Sequence, residues 1–264
     1  MEPGTERSNE AFVRAALAGT RFKEVRWVAE TGSTNDDLLL VAREGAGEQV
    51  LITDLQTTGR GRRDRVWHAP AGSGILMSVL IRGMAPTDAF WAVGAVSLAA
   101  SQTIDTLIDS DCTLKWPNDV LIDDGDSQRK VAGVLAQLAH DVVIVGIGIN
   151  VNWPEQMPAE VRERGTAVNR HRSDHSEPDV ERAPMAAEIL TRAIGHLASD
   201  RQTLRRAWSA QCSTLGQRVR LELDHGEIVG NAVEVTLDGA LQIEEEGRRT
   251  AHQVGDVVHL RPSD

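Results

Sequence analysis

The chain is short of several things, and each shortage excludes something. Its 264 residues include only two cysteines, Cys112 and Cys212. They lie far apart without the spacing of a disulfide framework or a metal site, which suits a reducing cytoplasm and two ordinary thiols. No apolar run approaches the ~18 residues of a membrane span. Met1-Glu-Pro-Gly-Thr-Glu has neither the basic nor the apolar region of a secretion signal. A cytoplasmic protein with no membrane partner is expected. Positive charge is also scarce: 28 Lys and Arg against 39 Asp and Glu give a formal net charge of -11. That balance argues against a general nucleic-acid binder, whose footprint is basic. Otherwise the charged (25%) and hydrophobic (41%) fractions are those of an ordinary globular protein. A chain this long can bury one large core, or a large one and a small one.

Against this acidic background one stretch stands out, Gln56-Thr-Thr-Gly-Arg-Gly-Arg-Arg-Asp-Arg-Val-Trp67. It follows an apolar run at 50–55 that reads as a buried strand. Gly59 and Gly61 let the backbone bend and approach a ligand. Arg60, Arg62, Arg63 and Arg65 present forked donors suited to carboxylate and phosphate. The loop reads as a receptor for one anionic ligand, and taken alone it reads equally as a solvated basic loop.

The rest of the chain supplies its setting. A short helix is expected around 12–17, a strand at 24–29, and a helix entered through Ser33 or Thr34 as N-cap, with Asp36 and Asp37 in its first turn. A second buried strand is expected at 74–81 and a long helix at 88–108. Residues 114–122 read as strand, turn, strand, with Pro117 holding Trp116 extended, and residues 123–128 as a hairpin tip. Strands at 130–139 and 142–151 join through a turn at His140-Asp141. Residues 152–183 read as a long irregular connection, and Pro184 opens one long helix running to about Gln211. From Gly216 onward the pattern is four short alternating strands, at 218–223, 228–235, 240–244 and 257–260, divided by glycine turns. This predicts a small β-barrel. The architecture is therefore α/β, a mixed sheet packed against helices, divided into domains 1–213 and 214–264.

Familiar signatures fail. Gly59-x-Gly61-x-x-Asp64 and the glycines at 146 and 148 break the dinucleotide fingerprint. No phosphate loop ending in Gly-Lys-Ser/Thr and no Gly-x-Ser-x-Gly elbow is present. His171 and His175 lie in a charged stretch without a cysteine pair, so surface histidines are expected rather than zinc ligands. No metal ligands are assigned.

Four segments remain: Thr31-Gly-Ser-Thr-Asn35, residues 56–67, Lys115-Trp-Pro-Asn-Asp119 and Lys130-Val-Ala-Gly133. Gly146-Ile-Gly-Ile-Asn-Val151 joins them. Each has a bland reading: a helix cap, a basic loop, a turn, an edge lysine, and a strand packed under another backbone. In this order and spacing the set resembles the biotin protein ligases from about Trp27 to Val151, and more loosely through the C-terminal strands. The resemblance implies the biotin/lipoate ligase fold with an SH3-like C-terminal barrel. It also implies two reactions: biotin and ATP form biotinyl-5′-AMP with Mg²⁺ assisting, and biotin then passes to a lysine of a carboxylase's biotin carboxyl carrier domain.

By this resemblance Ser33, Thr34, Asn35, Gln56, Gly59, Arg60, Gly61, Arg62, Lys130 and Gly133 bind biotin, the polar four suiting its ureido ring. Arg62, Lys115, Asn118, Lys130 and Asn150 line the ATP side. Lys130, Arg62 and Asp119 are the catalytic candidates, with Asp119 orienting or deprotonating the acceptor lysine; capping the Pro-Asn-Asp turn is the competing role. Trp67 reads as core or as a cover for the closed loop. The sequence departs from the family at Asp64, where a glycine is usual, and at Gln137, where an acid is frequent. Two rival functions are a lipoate ligase, on the same fold, and a biotin-responsive repressor. The second is disfavoured by the net charge and by the roughly thirty residues before the first motif, too few for a winged helix-turn-helix and linker.

Overall fold

Alternation along the strands explains where the site can form. The computed structural model describes residues 5–63, 65–123, 125, 127–139, 141–157, 159–172 and 179–260. The chain begins with α1 (Thr5–Ala16), β1 (Glu24–Thr31), α2 (Thr34–Arg43), β2 (Gln49–Gln56) and β3 (Gly74–Arg82). There follow α3 (Ala89–Asp105), β4 (Asp111–Lys115), β5 (Asp119–Asp123), β6 (Gln128–Ala139) and β7 (Val142–Asn150). Helices α4 (Ala159–Arg164), α5 (Arg182–Ala198) and α6 (Arg201–Ala210) lead to the C-terminal strands. These are β8 (Arg218–Leu223), β9 (Gly226–Val235), β10 (Leu241–Glu245), β11 (Arg248–His252) and β12 (Asp256–His259).

The larger sheet has the order β1-β2-β3-β7-β6-β5-β4. Its β1–β2 pair is parallel and the others are antiparallel, so the sheet is mixed as expected. Successive residues of a strand face opposite sides. Val50 and Ile52, Ile75, Met77 and Val79, and Val145, Ile147 and Ile149 all join the main core with residues of α1, α3 and α5. Their neighbours Leu51, Leu80 and Ile144 face the other way and pack on Leu38 and Ala42 of α2. The short helix α2 covers only part of this second face. Beyond it the sheet presents Gly146 and Gly148, which have no side chains to fill the space. That uncovered floor becomes the site.

A buried ion pair ties α5 to the sheet. Asp54 is 1% exposed and accepts from Trp27 Nε1 (3.0 Å) and Arg182 Nη1 (2.6 Å), while Arg182 also donates to the Gly74 carbonyl (3.2 Å). The second Asp54 oxygen has no partner, so removing the arginine would leave a buried charge exposed to low dielectric.

Several expectations need correcting. The single helix expected at 184–211 is two, because Ser199 is extended and Asp200 accepts from the Thr203 N–H (3.0 Å) as the N-cap of α6. The connection at 152–183 holds α4 and a 3-10 turn at Val168–Arg170, and Trp153, Met157 and Ala167 form a small core of their own. The C-terminal sheet has five strands in the order β11-β10-β9-β8-β12, not four. Its missing member is the polar β11, which alternation of apolar residues could not reveal. Two tryptophans link it to the larger domain: Trp91 Nε1 donates to the Leu237 carbonyl (2.7 Å) and Trp116 Nε1 to that of Gly239 (3.1 Å). The expected tip at 123–128 falls partly outside the described residues, since Asp124 and Asp126 are not among them, nor is His140 of the next turn.

Candidate active site

The strand β1, helix α2 and strand β3 build a neutral polar corner. Ser33 holds the N-cap position of α2, but its side chain makes no capping bond. The cap comes from β2: the Thr34 N–H donates to Gln56 Oε1 (2.8 Å). Ser78 Oγ donates to Asn35 Oδ1 (2.6 Å), and the hydroxyl of Thr34 lies between two acceptors, 2.6 Å from Ser78 Oγ and 3.1 Å from Gln56 Oε1. Asn35 Nδ2 donates to the Leu135 carbonyl at 3.4 Å. Gln56 thus spends its carbonyl inside the protein and keeps its NH2 for the cavity. Ser78, which orients Asn35 and Thr34, was invisible in an apolar strand sequence.

The arginine loop closes on itself. The Trp67 N–H donates to the Gly59 carbonyl (3.0 Å) and the Gly61 N–H to that of Arg65 (2.6 Å). A Cβ on Gly59 would come 2.7 Å from the Trp67 carbonyl oxygen. Gly59 is therefore required by loop closure, and it lies off the cavity wall, whereas Arg60, Gly61 and Arg62 lie on it. Each arginine meets an acid. Arg60 pairs with Asp36 of α2. Arg62 reaches Asp256 Oδ1 (3.4 Å), the Gly255 carbonyl (3.2 Å) and Asn118 Oδ1 (3.4 Å). Arg63 contacts Asp224 (3.2 Å) and Asp256 (3.4 Å), and Arg65 contacts Asp256 (2.7 Å). Burial lowers the pKa of Arg62, against the opposing pull of Asp256 and Asp119. Asp64 lies outside the described residues.

Lys130 is not a solvated edge residue, because β6 runs between β5 and β7. A register shift between Val120 and Leu121 pairs Lys130 with Leu121 and Ala132 with Val120. Such a bulge resets the alternation, and Lys130 comes to the same face as Gly133. A Cβ on Gly133 would meet Lys130 Nζ at 2.9 Å. Gly133 therefore makes room for Lys130 and for the Trp67 ring, 3.2 Å from the same point. The Lys130 ammonium pairs with Asp119 Oδ1 (2.6 Å) and lies 5.5 Å from the centre of the Trp67 ring. Asp119 makes this ion pair and, among the described residues, no turn-capping hydrogen bond. Trp67 is not a core residue: half-buried, it stands over Gly148 with its indole N–H unpaired. Gly146 lies beneath Asn35 and Ser78. The two glycines of β7 thus pack under side chains, not under another backbone.

On the remaining side, Asn118 Nδ2 donates to the Val134 carbonyl (2.7 Å) and Asn150 Nδ2 to that of Thr166 (3.0 Å). Both line the cavity; Lys115 does not. It sits behind the wall, where burial lowers its pKa. Its charge adds to the burial that pushes the nearby His259 down to about 4. The wall is completed by Trp153, Val161, Arg164 and Gly165, all from the stretch read as irregular. It docks through a Thr166 N–H to Lys130 carbonyl bond (2.9 Å). The spacing of Trp153, Met157 and Val161, four residues apart, was the available signal. His171 is not simply a surface residue, since its ring meets the Thr166 hydroxyl (2.7 Å); His175 lies outside the described residues.

These parts enclose one cavity of about 310 Å³, neutral and polar at the α2 end and cationic at the Lys130–Arg62 end. Among the described residues, no group of three or more His, Cys, Asp or Glu could hold a metal ion.

Comparison with known proteins agrees with this architecture. The Biotin/lipoate A/B protein ligase family matches residues 28–152, and the Biotin protein ligase C terminal domain matches residues 214–260. The chain is 37% identical to a biotin--[acetyl-CoA-carboxylase] ligase of Mycobacterium tuberculosis over 255 residues, 92% of each chain. It is 29% identical to the bifunctional ligase/repressor BirA of Bacillus subtilis over 218 residues, 77% of this chain and 64% of that one. Among solved structures, the biotin protein ligase from Aquifex aeolicus in complex with biotin and ATP superposes with a TM-score of 0.75. That match has 28% identity and covers 91% of this chain and all of the other. The chain belongs to the biotin protein ligase family.

Proposed function

We propose that this chain is an ATP-dependent biotin protein ligase that makes biotinyl-5′-AMP and transfers biotin to a lysine of a biotin carboxyl carrier domain. The observation that carries the reading is the polarity of the cavity, uncharged at one end and cationic at the other, in a chain of this family. Biotin is apolar except for its ureido head and its carboxylate. Ser33, Thr34, Asn35 and the free NH2 of Gln56 supply the uncharged donors and acceptors for the head. A Trp67 ring above Gly133 and Gly148 flanks the aliphatic chain. The carboxylate then falls toward Lys130.

In the first reaction a carboxylate oxygen attacks the α-phosphorus of ATP. A carbon–oxygen–phosphorus anhydride forms, the bond to the β-phosphate bridging oxygen breaks, and pyrophosphate leaves. Both reactants are anionic, so Lys130 and Arg62 act by holding them within attack distance and neutralising charge on the α-phosphate. Asn118 and Asn150 fix the backbone around the nucleotide, and Trp153, Val161 and Gly165 offer an apolar wall for its base. Lys115 contributes its charge from behind the wall. Mg²⁺ brought by ATP would neutralise phosphate charge; among the described residues no acidic or histidine cluster would hold it. In the second reaction the acceptor amine attacks the acyl carbon and AMP departs. Asp119, which pairs with the Lys130 ammonium at 2.6 Å, takes on this reading the proton that the amine must lose.

We further place the domain boundary at 213–214 and the protein in the cytoplasm; no described helix is long and apolar enough to cross a membrane. The test is transfer of labelled biotin to a carrier domain, with and without ATP and Mg²⁺, in parallel with labelled lipoate. Biotin labelling that requires ATP supports the reading. Labelling by lipoate instead, or tight biotin binding without transfer, would defeat it.

A further inference from the structure

At the neutral end of the cavity one buried side-chain carbonyl has no donor. Gln56 Oε1 accepts from the Thr34 N–H and Asn35 Oδ1 accepts from the Ser78 hydroxyl. The carboxylates on the wall, Asp119 and Asp256, belong to the opposite, cationic end and pair with Lys130 and the arginines. Gln137 lines the same cavity, and its side-chain oxygen is buried with no partner. An unpaired buried carbonyl costs on the order of 1–3 kcal/mol, so its retention calls for a ligand donor.

The register places that acceptor at a useful distance. Gly133, Leu135 and Gln137 alternate onto the cavity face of β6. Opposite them, Gly133 pairs with Gly148 beneath Trp67, Leu135 pairs with Gly146 beneath Asn35, and Gln137 pairs with Ile144, one step further in. The Lys130 ammonium rests above Gly133. Four strand residues, roughly 13 Å of backbone, therefore separate the cationic anchor from Gln137. A ligand with its carboxylate at Lys130 and its ring head at the far end spans that interval.

We propose that Gln137 is a specificity-determining residue whose side-chain carbonyl accepts a hydrogen bond from a ureido N–H of biotin. The inference rests on the proposed biotin-ligase function. A cyclic urea offers two N–H donors as well as its carbonyl, and Gln56 Nε2 serves the carbonyl. A neutral amide at 137 suits a neutral head. A carboxylate there, frequent in the family, would also accept from a ureido N–H, and its charge would in addition attract the cyclic guanidinium of 2-iminobiotin, protonated at neutral pH.

The experiment is calorimetric titration of the full chain with biotin and with 2-iminobiotin, for wild type, Gln137→Leu and Gln137→Glu. Gln137→Leu is expected to weaken biotin by about tenfold or more, leaving a ligand N–H unpaired, with the KM for ATP changed less than twofold. Gln137→Glu is expected to shift the biotin/2-iminobiotin preference by at least tenfold toward the guanidinium. A purely structural residue would weaken both ligands alike and leave that ratio unchanged. Wild-type biotin affinity in Gln137→Leu, or an unchanged ratio in Gln137→Glu, overturns the proposal. If Gln137→Leu does not fold, the ratio in Gln137→Glu decides alone. Failure of the wild type to bind biotin would defeat the parent function instead.

Discussion

Gly148→Ala is the sharpest probe of how the cavity is shaped. A Cβ at this position would lie 2.6 Å from Cε2 and 2.7 Å from Nε1 of Trp67. Comfortable carbon–carbon contact needs about 3.5–4.0 Å, so something must move by roughly 1 Å. The backbone resists, because Gly148 is laddered to Leu76 on one side and Gly133 on the other, in the middle of the sheet. The ring has more freedom: its N–H has no partner and one side faces the cavity. It will therefore swing into the space needed by ligand. Relieving an overpacked contact of this kind costs about 1–3 kcal/mol, which as lost binding is about 5- to 150-fold in Kd. Because the ring can escape before ligand arrives, thermal stability should fall by less than about 4 °C. Calorimetric biotin affinity and a melting curve check both parts. Adding Trp67→Leu to Gly148→Ala should recover part of the loss, since neighbours that collide are non-additive. Wild-type affinity in Gly148→Ala, or no recovery in the double variant, would refute the steric account.

Lys130→Ala should lose roughly 3–4 kcal/mol of transition-state stabilisation in biotinyl-AMP formation; kcat/KM within tenfold of wild type would contradict this. Arg182→Leu strands the buried Asp54 charge and should cost about 3–5 kcal/mol in denaturant unfolding, whereas a loss below 1 kcal/mol would mean the pair is not buried as described. Asp256→Asn removes the carboxylate shared by Arg62, Arg63 and Arg65, so trypsin should cut the loop several-fold faster at little changed Tm; an unchanged cutting rate would count against the clamp. His259, held near 4 by burial, is below its unfolded value of about 6.5. Stability should therefore be steady above about pH 6.5 and fall as pH drops toward 4. His259→Gln should flatten that slope in melting curves taken across the range.

What the sequence displays well is local and repetitive. The apolar runs of β2, β3 and β7, the alanine-rich α3 and the glycine–arginine loop were all legible because each carries its period or its punctuation within ten or twenty residues. Cavity-lining residues such as Ser33, Thr34, Asn35, Gln56 and Lys130 were legible only as a set of motifs, since none of them is unusual alone. Residues recruited across the fold left no local trace. Ser78 is a hydroxyl in an apolar strand, Asp256 is one acid among 39 acidic residues, and Trp153 with Arg164 belongs to a stretch whose prolines and charges hide its short helix. Even Gly59 and Gly133 were legible as glycines but not for the right reason. The first gives way to the Trp67 carbonyl, and the second to Lys130 and Trp67.

The net acidity of the chain and its cationic loop are parts of one arrangement. Four arginines within six positions repel one another and would not hold a single loop shape unaided. Here Arg60 is matched by Asp36 from α2, while Arg62, Arg63 and Arg65 share Asp256 from β12, with Asp224 from the β8–β9 turn added to Arg63. Lys130 is matched in the same way by Asp119 of β5. The acids that match the loop arginines come from α2 and from the C-terminal sheet, so the loop's charges are balanced only when both pack against it. The two Arg62 contacts to side-chain carboxamide and carboxylate are long, at 3.4 Å. Such contacts are weaker than the short charge-assisted bonds that a phosphate oxygen makes with a guanidinium. On the proposed function, an arriving phosphate would exchange one anionic partner of Arg62 for a better one, without stripping a cation from water. The C-terminal sheet contributes to the site chiefly through this single acid, by holding the arginines gathered at the mouth of the cavity.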